Sequence, residues 1–192
     1  MSLLIILLIL FIILIIIVYY LYFLENYIYI KNNLLEEDDI RVLHKELKNI
    51  QEDRKDEFKH EDYKKYLLLD STKHKKIYDI IYKNDFLKNK IKNDFNIDLQ
   101  YPKHPIEYRI YNNDIELIPW HQDKKLMDNY LECIYIIKNN SDSYFQYIKN
   151  FKINKYNQRE NDLIIVKPND IIHNITKINE GEKVILKFII NL

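Results

Sequence analysis

Two His-x-Asp pairs in the chain have the residue types of a metal site. His60 and Asp62 lie in a highly charged stretch, whereas His121 and Asp123 follow the apolar run "IELIP". On a strand, residues i and i+2 point to the same side, but on a helix they lie about 200° apart. The stretch around His60 has a helical pattern, so the sequence predicts that only the pair at His121 can bind one ion.

A third ligand for the same ion can come from His173, which lies far downstream in "NDIIHNIT". Two histidines and one carboxylate form the facial triad that binds a metal and leaves coordination positions open. Lys183 follows His173 by ten positions, where its cation could meet the carboxylate of a ligand inside a barrel. The ordered set of His121, Asp123, His173 and Lys183 is much more specific than any part of it.

Residues 104–192 have the pattern of an all-β domain that could position these side chains. Seven short runs rich in Ile, Tyr and Phe alternate with polar breaks: IEYRIY, IELIPWHQD, LECIYIIK, SYFQYI, DLIIVKP, IIHNIT and KVILKFII. They predict an antiparallel sandwich or barrel. Gly181 is the single glycine of the chain, and its place between the last two runs predicts a hairpin turn with a positive φ angle.

The N-terminal part of the chain differs from this β region in its pattern of apolar and charged residues. Residues 3–24 are apolar throughout and would form a helix of about 33 Å, which is enough to cross a bilayer. No small-residue cleavage site follows, so an uncleaved single-pass anchor is favoured over a signal peptide. Too few Lys and Arg residues flank it to fix its orientation. The predicted domains are a transmembrane anchor at 1–24, a charged helical stalk at 25–72 and a folded domain at 73–192, with its β core at about 104–192.

Composition excludes several classes of protein. The formal net charge is +0, which argues against a nucleic-acid partner because such proteins carry a basic surplus. The single cysteine, Cys133, excludes an intrachain disulfide and any zinc site made of several cysteines.

The chain lacks alanine and is rich in Ile, Asn, Lys and Tyr, which are residues of A/T-rich codons and indicate a viral or parasite genome.

The β region resembles the Fe(II)/2-oxoglutarate-dependent dioxygenases, and among them the prolyl 4-hydroxylase-like branch. The resemblance covers about residues 100–192 and rests on "PIEYRIY", "WHQD", "LECIYIIKNNSDS" and "HNITKINEGEKVILKF". It implies a double-stranded β-helix, a jelly-roll or cupin-like fold, here preceded by helices and the transmembrane helix. It also implies that His121, Asp123 and His173 bind Fe(II), and that Lys183 and Tyr111 bind 2-oxoglutarate.

The resemblance implies an enzyme that uses O2 and 2-oxoglutarate to hydroxylate an unactivated C–H bond, with ascorbate as a further candidate cofactor. The apolar N-terminal segment adds the expectation that this enzyme is anchored in a membrane. A prolyl residue of a protein or peptide is the expected substrate. The chain departs from the family pattern at "NNDIE", where a glycine-containing turn is usual, and at Ile185, where a small polar residue is common. Two alternatives stay open: a non-catalytic membrane-anchored binding protein that keeps the fold, and a zinc hydrolase, which would lack an obvious glutamate base.

Overall fold

The computed structural model describes residues 3–23, 27–61, 64–102, 104–113, 118–123, 129–168 and 170–192, with side chains in the first helix described for 5–16 and 18. The helices are α1 (Leu3–Phe23), α2 (Glu37–Asp53), α3 (Lys75–Tyr82) and α4 (Asp85–Phe95), with a 3₁₀ turn at Lys55–Glu57. The strands are β1 (Ile28–Lys31), β2 (Lys59–Glu61), β3 (Lys64–Leu69), β4 (Ile106–Tyr111), β5 (Ile118–His121), β6 (Tyr130–Asn139), β7 (Phe145–Lys149), β8 (Lys152–Tyr156), β9 (Leu163–Val166), β10 (His173–Ile175) and β11 (Lys183–Asn191).

Two antiparallel sheets pack face to face. The larger has the order β1-β9-β6-β11-β4-β3-β2, and the smaller has the order β5-β10-β7-β8. The strands from β4 to β11 are shared equally between the sheets, in the arrangement of an eight-stranded jelly roll. The predicted mainly-β, jelly-roll class is therefore confirmed. All seven predicted strands form, and the structure adds β8 and β1–β3.

Side-chain alternation along the large sheet separates two apolar cores. On β11, Leu186 and Phe188 pack in a core with the apolar faces of α2, α3 and α4. Ile185 points the other way, into a second core between the two sheets. Because Lys183 and Lys187 lie two positions on either side of Ile185, the pleat directs both lysines into the space between the sheets.

The helical pattern at residues 74–96 forms two helices, α3 and α4. Asn84 separates them, because its side chain accepts a hydrogen bond from the backbone N–H of Leu87 at 3.0 Å and so caps α4. Asn96 ends α4 in the left-handed conformation at φ 56°. Both helices bury their apolar faces on the large sheet.

The predicted stalk at residues 25–72 is wrong, because this segment is part of the folded domain. Strand β1 pairs with β9, and β3 pairs with β4, so both extend the large sheet. Leu43 and Leu47 of α2 are buried at 0% and 2% exposure in the core outside that sheet. The many lysines and acids of the segment occupy the outer faces, and they obscure the short apolar pattern of "KYLLL".

His60 lies on β2 and is exposed, so the helical structure predicted around it is wrong. Its neighbour Asp62 lies outside the described residues, as do residues 114–116 of the departing "NNDIE" segment. Among the described residues, the group of His, Cys, Asp and Glu side chains close enough to hold a metal is His121, Asp123 and His173. The preference for the pair at His121 over the pair at His60 stays a prediction, and the helix given as the reason for rejecting His60 is wrong.

Gly181 has the predicted positive φ, at +83°, but it does not form a hairpin turn. Strands β10 and β11 belong to different sheets, so the glycine lies in a crossover between them. A Cβ atom there would lie 2.3 Å from the backbone oxygen of Asn140. Both the backbone angle and this close approach require glycine.

Helix α1 contains most of the apolar N-terminal segment, and its described side chains are exposed. Over its described residues, no helix of the chain is long and apolar enough to cross a membrane. The predicted transmembrane anchor is therefore unsupported by the structure and stays a prediction from the sequence. The last residue of the predicted anchor, Leu24, lies outside the described residues.

Candidate active site

The three predicted metal ligands converge on one point between the sheets. His121 ends β5 and His173 begins β10, and the two are direct partners in the antiparallel register. Asp123 follows His121 by two positions, and one ligand atom from each of the three side chains lies within 4.8 Å of the others. His173 Nε2 lies 3.4 Å from Asp123 Oδ2, and His121 Nε2 lies 3.9 Å from Asp123 Oδ1.

Both imidazole rings are oriented by backbone carbonyl groups. His121 Nδ1 lies 2.8 Å from the oxygen of Pro119, and His173 Nδ1 lies 3.1 Å from the oxygen of Ile171. A carbonyl oxygen can only accept, so each Nδ1 carries a proton, and in the neutral form of the ring Nε2 then has the lone pair. This is the tautomer that a metal-binding histidine needs, fixed by the hydrogen bond to its other nitrogen.

The charges at the site also fit a divalent metal. Burial lowers the pKa of His173, which favours the neutral, ligating form of the ring. Burial alone would raise the pKa of Asp123, but the positive charge of Lys187 outweighs it and lowers this pKa to about 2. Two imidazoles and one carboxylate are the donor set of the facial triad that binds Fe(II).

Lys187 connects Asp123 to a second buried carboxylate, that of Glu132. Its Nζ donates to Asp123 Oδ1 at 3.2 Å and forms a close ion pair with Glu132, which is 2% exposed. Oδ1 of Asp123 is therefore held by the lysine, while Oδ2 faces His173. Burial and then the nearby charge of Asp123 raise the pKa of Glu132 to about 7, although the charge of Lys187 opposes them.

Lys183, on the same strand and the same face, has a different environment. It is 0% exposed, and no carboxylate of the described residues lies within salt-bridge distance of its Nζ. Its side-chain partner is the amide of Gln158, whose Oε1 accepts from Nζ at 2.7 Å. Burial without a counter-ion lowers the pKa of Lys183 to about 7. An ammonium group in such a place can be stabilised by the carboxylate of a ligand.

Tyr111, the second residue predicted to bind the cosubstrate, lies directly opposite Lys183 in the register of β4 and β11. It is buried at 3% exposure in the core between the sheets, and its hydroxyl oxygen accepts from Arg109 Nη1 at 3.2 Å. Ile185, the apolar departure from the family pattern, packs in the same core. The structure thus brings Tyr111 to the same interior as Lys183, and Ile185 makes the wall between the two lysines apolar.

A cavity of about 330 Å³ opens beside Asp123. Its wall includes several charged side chains, those of Glu107, Arg109, Glu132 and Lys187. Glu107 and Arg109 are paired at 2.7 Å, so these charges largely compensate one another. The cavity provides a space lined by both charged and apolar side chains next to the candidate metal ligands.

Sequence reasoning missed four polar residues around the site: Arg109, Glu132, Gln158 and Lys187. A signal existed for the three on strands, because charged residues at inward positions of apolar runs are costly unless they are paired. "KVILKF" places Lys187 on the face of Lys183, and "LECIYI" places Glu132 on the face of Ile134. Gln158 lies in the loop after β8, where the sequence carries no period that could have revealed it.

No protein-family model matches the chain, and no curated protein matches it by sequence. Solved structures do. A prolyl-4-hydroxylase from Pseudomonas putida matches with a TM-score of 0.63 and 11% identity, over 85% of this chain and 91% of that one. A prolyl hydroxylase from Trichoplax adhaerens, in complex with a peptide fragment of hypoxia inducible factor, matches with a TM-score of 0.68 and 11% identity over 86% and 83%.

HygX from Streptomyces hygroscopicus, solved with nickel, 2-oxoglutarate and hygromycin B bound, matches with a TM-score of 0.60 and 11% identity over 85% of this chain and 82% of that one. At this identity the likeness is one of fold. The expected resemblance to the dioxygenases is confirmed at that level. It also extends well beyond residues 100–192, because about 85% of the chain aligns.

Proposed function

We propose that this protein is an Fe(II)- and 2-oxoglutarate-dependent dioxygenase. The observation that carries the proposal is the convergence of His121, Asp123 and His173 on one point, with a buried, uncompensated Lys183 in the same interior. The shared fold with prolyl hydroxylases and with HygX supports it. HygX itself was solved with iron and with 2-oxoglutarate.

Each part of the arrangement has a role in this chemistry. The two Nε2 atoms and the Asp123 carboxylate would hold Fe(II), which, when bound, supplies the redox chemistry for oxidative decarboxylation of 2-oxoglutarate and hydroxylation of a C–H bond. Lys183 would bind the far carboxylate of 2-oxoglutarate, with Tyr111 lining the same space. Lys187 would keep Asp123 Oδ1 occupied, so that Oδ2 serves the metal. The two sheets would exclude water from the reacting groups.

We further propose a prolyl residue of a protein or peptide as the substrate. Two of the structural neighbours are prolyl hydroxylases, and one was solved with a peptide. The cavity beside Asp123 offers a route by which such a residue could reach the metal. Hydroxylation of proline-containing peptides, with no turnover of free amino acids or nucleosides, is the expected pattern. The reverse pattern would remove the prolyl assignment and leave the dioxygenase proposal intact.

The alternatives are weaker. A non-catalytic binding protein is not favoured, because the ligand side chains and the buried lysine are all in place. A zinc hydrolase needs a carboxylate that can act as a base beside the metal. Glu132 lies in that region, although the sequence did not reveal it, but its carboxylate is engaged by Lys187.

The test is succinate formation from 2-oxoglutarate by the full-length chain, reconstituted with Fe(II) under anaerobic conditions and then exposed to oxygen. We expect uncoupled turnover in the wild type and none in His121→Ala/Asp123→Ala. Turnover that persists in the double variant would show that the metal is held elsewhere. Enzymes of this kind can be slow without substrate, so proline-containing peptides are included in a parallel series.

Membrane anchoring through residues 3–24 is a separate proposal, and the apolar sequence supports it. It predicts that the expressed full-length chain sediments with membranes and resists alkaline extraction, whereas a chain that starts at residue 25 does not. A full-length chain in the soluble fraction would contradict it. The proposal leaves open which side of the membrane the domain faces.

A further inference from the structure

Gln158 lies in the loop after β8 and is almost completely buried, at 2% exposure. Its Oε1 accepts a hydrogen bond from Lys183 Nζ at 2.7 Å, and its backbone oxygen accepts one from Asn139 Nδ2 at 2.6 Å. The orientation of the amide follows from chemistry, because an ammonium group can only donate. The amide oxygen must therefore face Lys183, and the NH2 group must be the other branch.

That NH2 group has no acceptor. Gln158 Nε2 is buried, and no acceptor among the described residues lies within hydrogen-bond distance of it. Buried donors are normally satisfied, so an orphan of this kind requires an explanation. The adjacent Lys183 ammonium group is also unusual, because it has no counter-ion among the described residues. Two neighbouring side chains therefore both have unsatisfied hydrogen-bond donors.

A carboxylate supplies what both groups lack, because it carries negative charge and has two acceptor oxygens. We propose that Gln158 is a second binding residue for the far carboxylate of the 2-oxo acid, with Lys183 giving the charge and Gln158 an amide N–H. This rests on the proposed function, and it adds a residue from the loop after β8 to a site otherwise built from strands. A hydrogen bond from an amide to a charged acceptor changes affinity by roughly tenfold to a hundredfold.

The choice of glutamine over glutamate follows from the same reasoning. A glutamate at position 158 would form a buried ion pair with Lys183 and would occupy the cation that the cosubstrate needs. Glutamine holds the lysine in place without neutralising it. Gln158→Glu is therefore expected to stabilise the free protein and to abolish cosubstrate binding, which is a combination that a purely structural role for Gln158 would not produce.

The experiment uses the full-length chain loaded with Co(II), which allows binding to be measured without turnover. Titration calorimetry gives the Kd of 2-oxoglutarate and, separately, the Kd of Co(II), for the wild type, Gln158→Leu and Gln158→Glu. Pyruvate is the control ligand, because it has the keto-acid end that chelates a metal but lacks the far carboxylate. We expect Gln158→Leu to raise the Kd of 2-oxoglutarate about tenfold to a hundredfold. We expect the Kd values of Co(II) and pyruvate to stay unchanged.

Equal 2-oxoglutarate affinity in the wild type and Gln158→Leu would overturn the proposal. If Gln158→Leu fails to fold, Gln158→Glu decides, because it has nearly the same shape: 2-oxoglutarate binding close to that of the wild type would refute the assignment. A wild type that binds Co(II) and pyruvate but not 2-oxoglutarate would refute the carboxylate site alone. A wild type that binds no metal would refute the proposed function itself.

Discussion

Two lysines on one strand of this protein have opposite environments. Lys183 and Lys187 lie four positions apart on β11 and point into the same space between the sheets. Lys187 contacts two carboxylates, those of Asp123 and Glu132. Lys183 contacts the neutral amide of Gln158, with no carboxylate of the described residues in reach. Burial lowers the pKa of Lys183 to about 7, whereas the charge of Glu132 overcomes burial and raises the pKa of Lys187.

The difference separates a structural charge from a functional one. A buried charge with its partners in place is part of the folded protein, and removing one member leaves the others uncompensated. A buried charge without a partner is costly in the free protein and is explained by a ligand that completes it. The same strand thus carries one lysine that orients a metal ligand and one lysine whose charge is left for an anionic ligand to compensate.

The largest expected effect on ligand binding comes from the loss of Lys183. Lys183→Met should weaken 2-oxoglutarate binding by about 2–5 kcal/mol, which is roughly 30-fold or more, because a buried charge-assisted contact is lost. Metal affinity should not change. Calorimetry with Co(II)-loaded protein measures both. Lys138→Met is the matched control, since Lys138 is an exposed lysine paired with Glu182 at the surface. Equal loss in both variants would contradict the distinct role of Lys183.

The two lysines should also affect stability with opposite signs. Lys187→Met should lower the free energy of unfolding by about 3–5 kcal/mol, because Glu132 is left buried and unpaired. Lys183→Met should raise it by about 1–4 kcal/mol, because an uncompensated buried charge is removed. Urea unfolding of the metal-free protein measures both changes. The double variant Lys187→Met/Glu132→Leu should recover most of the unfolding free energy that Lys187→Met loses. If Lys183→Met and Lys187→Met lowered the free energy of unfolding equally, the two lysines would not differ as described.

The stability gain in Lys183→Met should depend on pH. The folded-state pKa of about 7 lies below the ordinary lysine value of 10.5, so the unfolded chain binds more protons between these values and wild-type stability rises with pH there. The gain from Lys183→Met is therefore full below pH 7 and shrinks as the pH rises. A gain that grows with pH would contradict the assigned pKa shift.

The affinity for 2-oxoglutarate should also fall as the pH rises above about 7. The bound carboxylate raises the pKa of Lys183, so binding above pH 7 requires proton uptake and weakens by up to about tenfold per pH unit. Lys183→Arg should remove this dependence, because a guanidinium group stays charged. Calorimetry in buffers of different ionisation enthalpy measures the proton uptake directly.

The smallest expected effect concerns Tyr111. Its hydroxyl oxygen already accepts from Arg109, so Tyr111→Phe should weaken 2-oxoglutarate binding by only about 0.5–1.5 kcal/mol. The same calorimetric titration measures the change. A loss of binding free energy as large as that in Lys183→Met would mean that Tyr111 is a main binding residue for the cosubstrate. Strand β4 would then contribute as much to the binding site as β11.

The strands that carry the metal ligands were predictable from local sequence. The apolar runs between residues 106 and 191 all form strands, because burial on one or both faces leaves a clear apolar signal. The two-residue period of a strand predicted the pairing of His121 with Asp123, although β5 ends at His121 and Asp123 lies two positions beyond it. The positive φ angle at Gly181 followed from the rarity of glycine in this chain, but its place in a crossover between sheets did not.

The parts that could not be predicted depend on distant contacts. Strand β1 is four residues long and is fixed by its pairing with β9, more than a hundred positions away. The partners of Lys187 and Lys183 come from other strands and from a loop, so the sequence of β11 shows two similar lysines. Only the fold distinguishes the lysine with two carboxylates from the lysine with none.

The central claim is that one interior binds both a metal and a 2-oxo acid. Its most direct test is the visible charge-transfer absorption that arises when 2-oxoglutarate chelates Fe(II), recorded anaerobically on the full-length chain. We predict this absorption band in the wild type and no band in Asp123→Ala. In Lys183→Met the band should appear only at a much higher concentration of 2-oxoglutarate. A wild type that binds Fe(II) and shows no band at saturating 2-oxoglutarate would contradict the account.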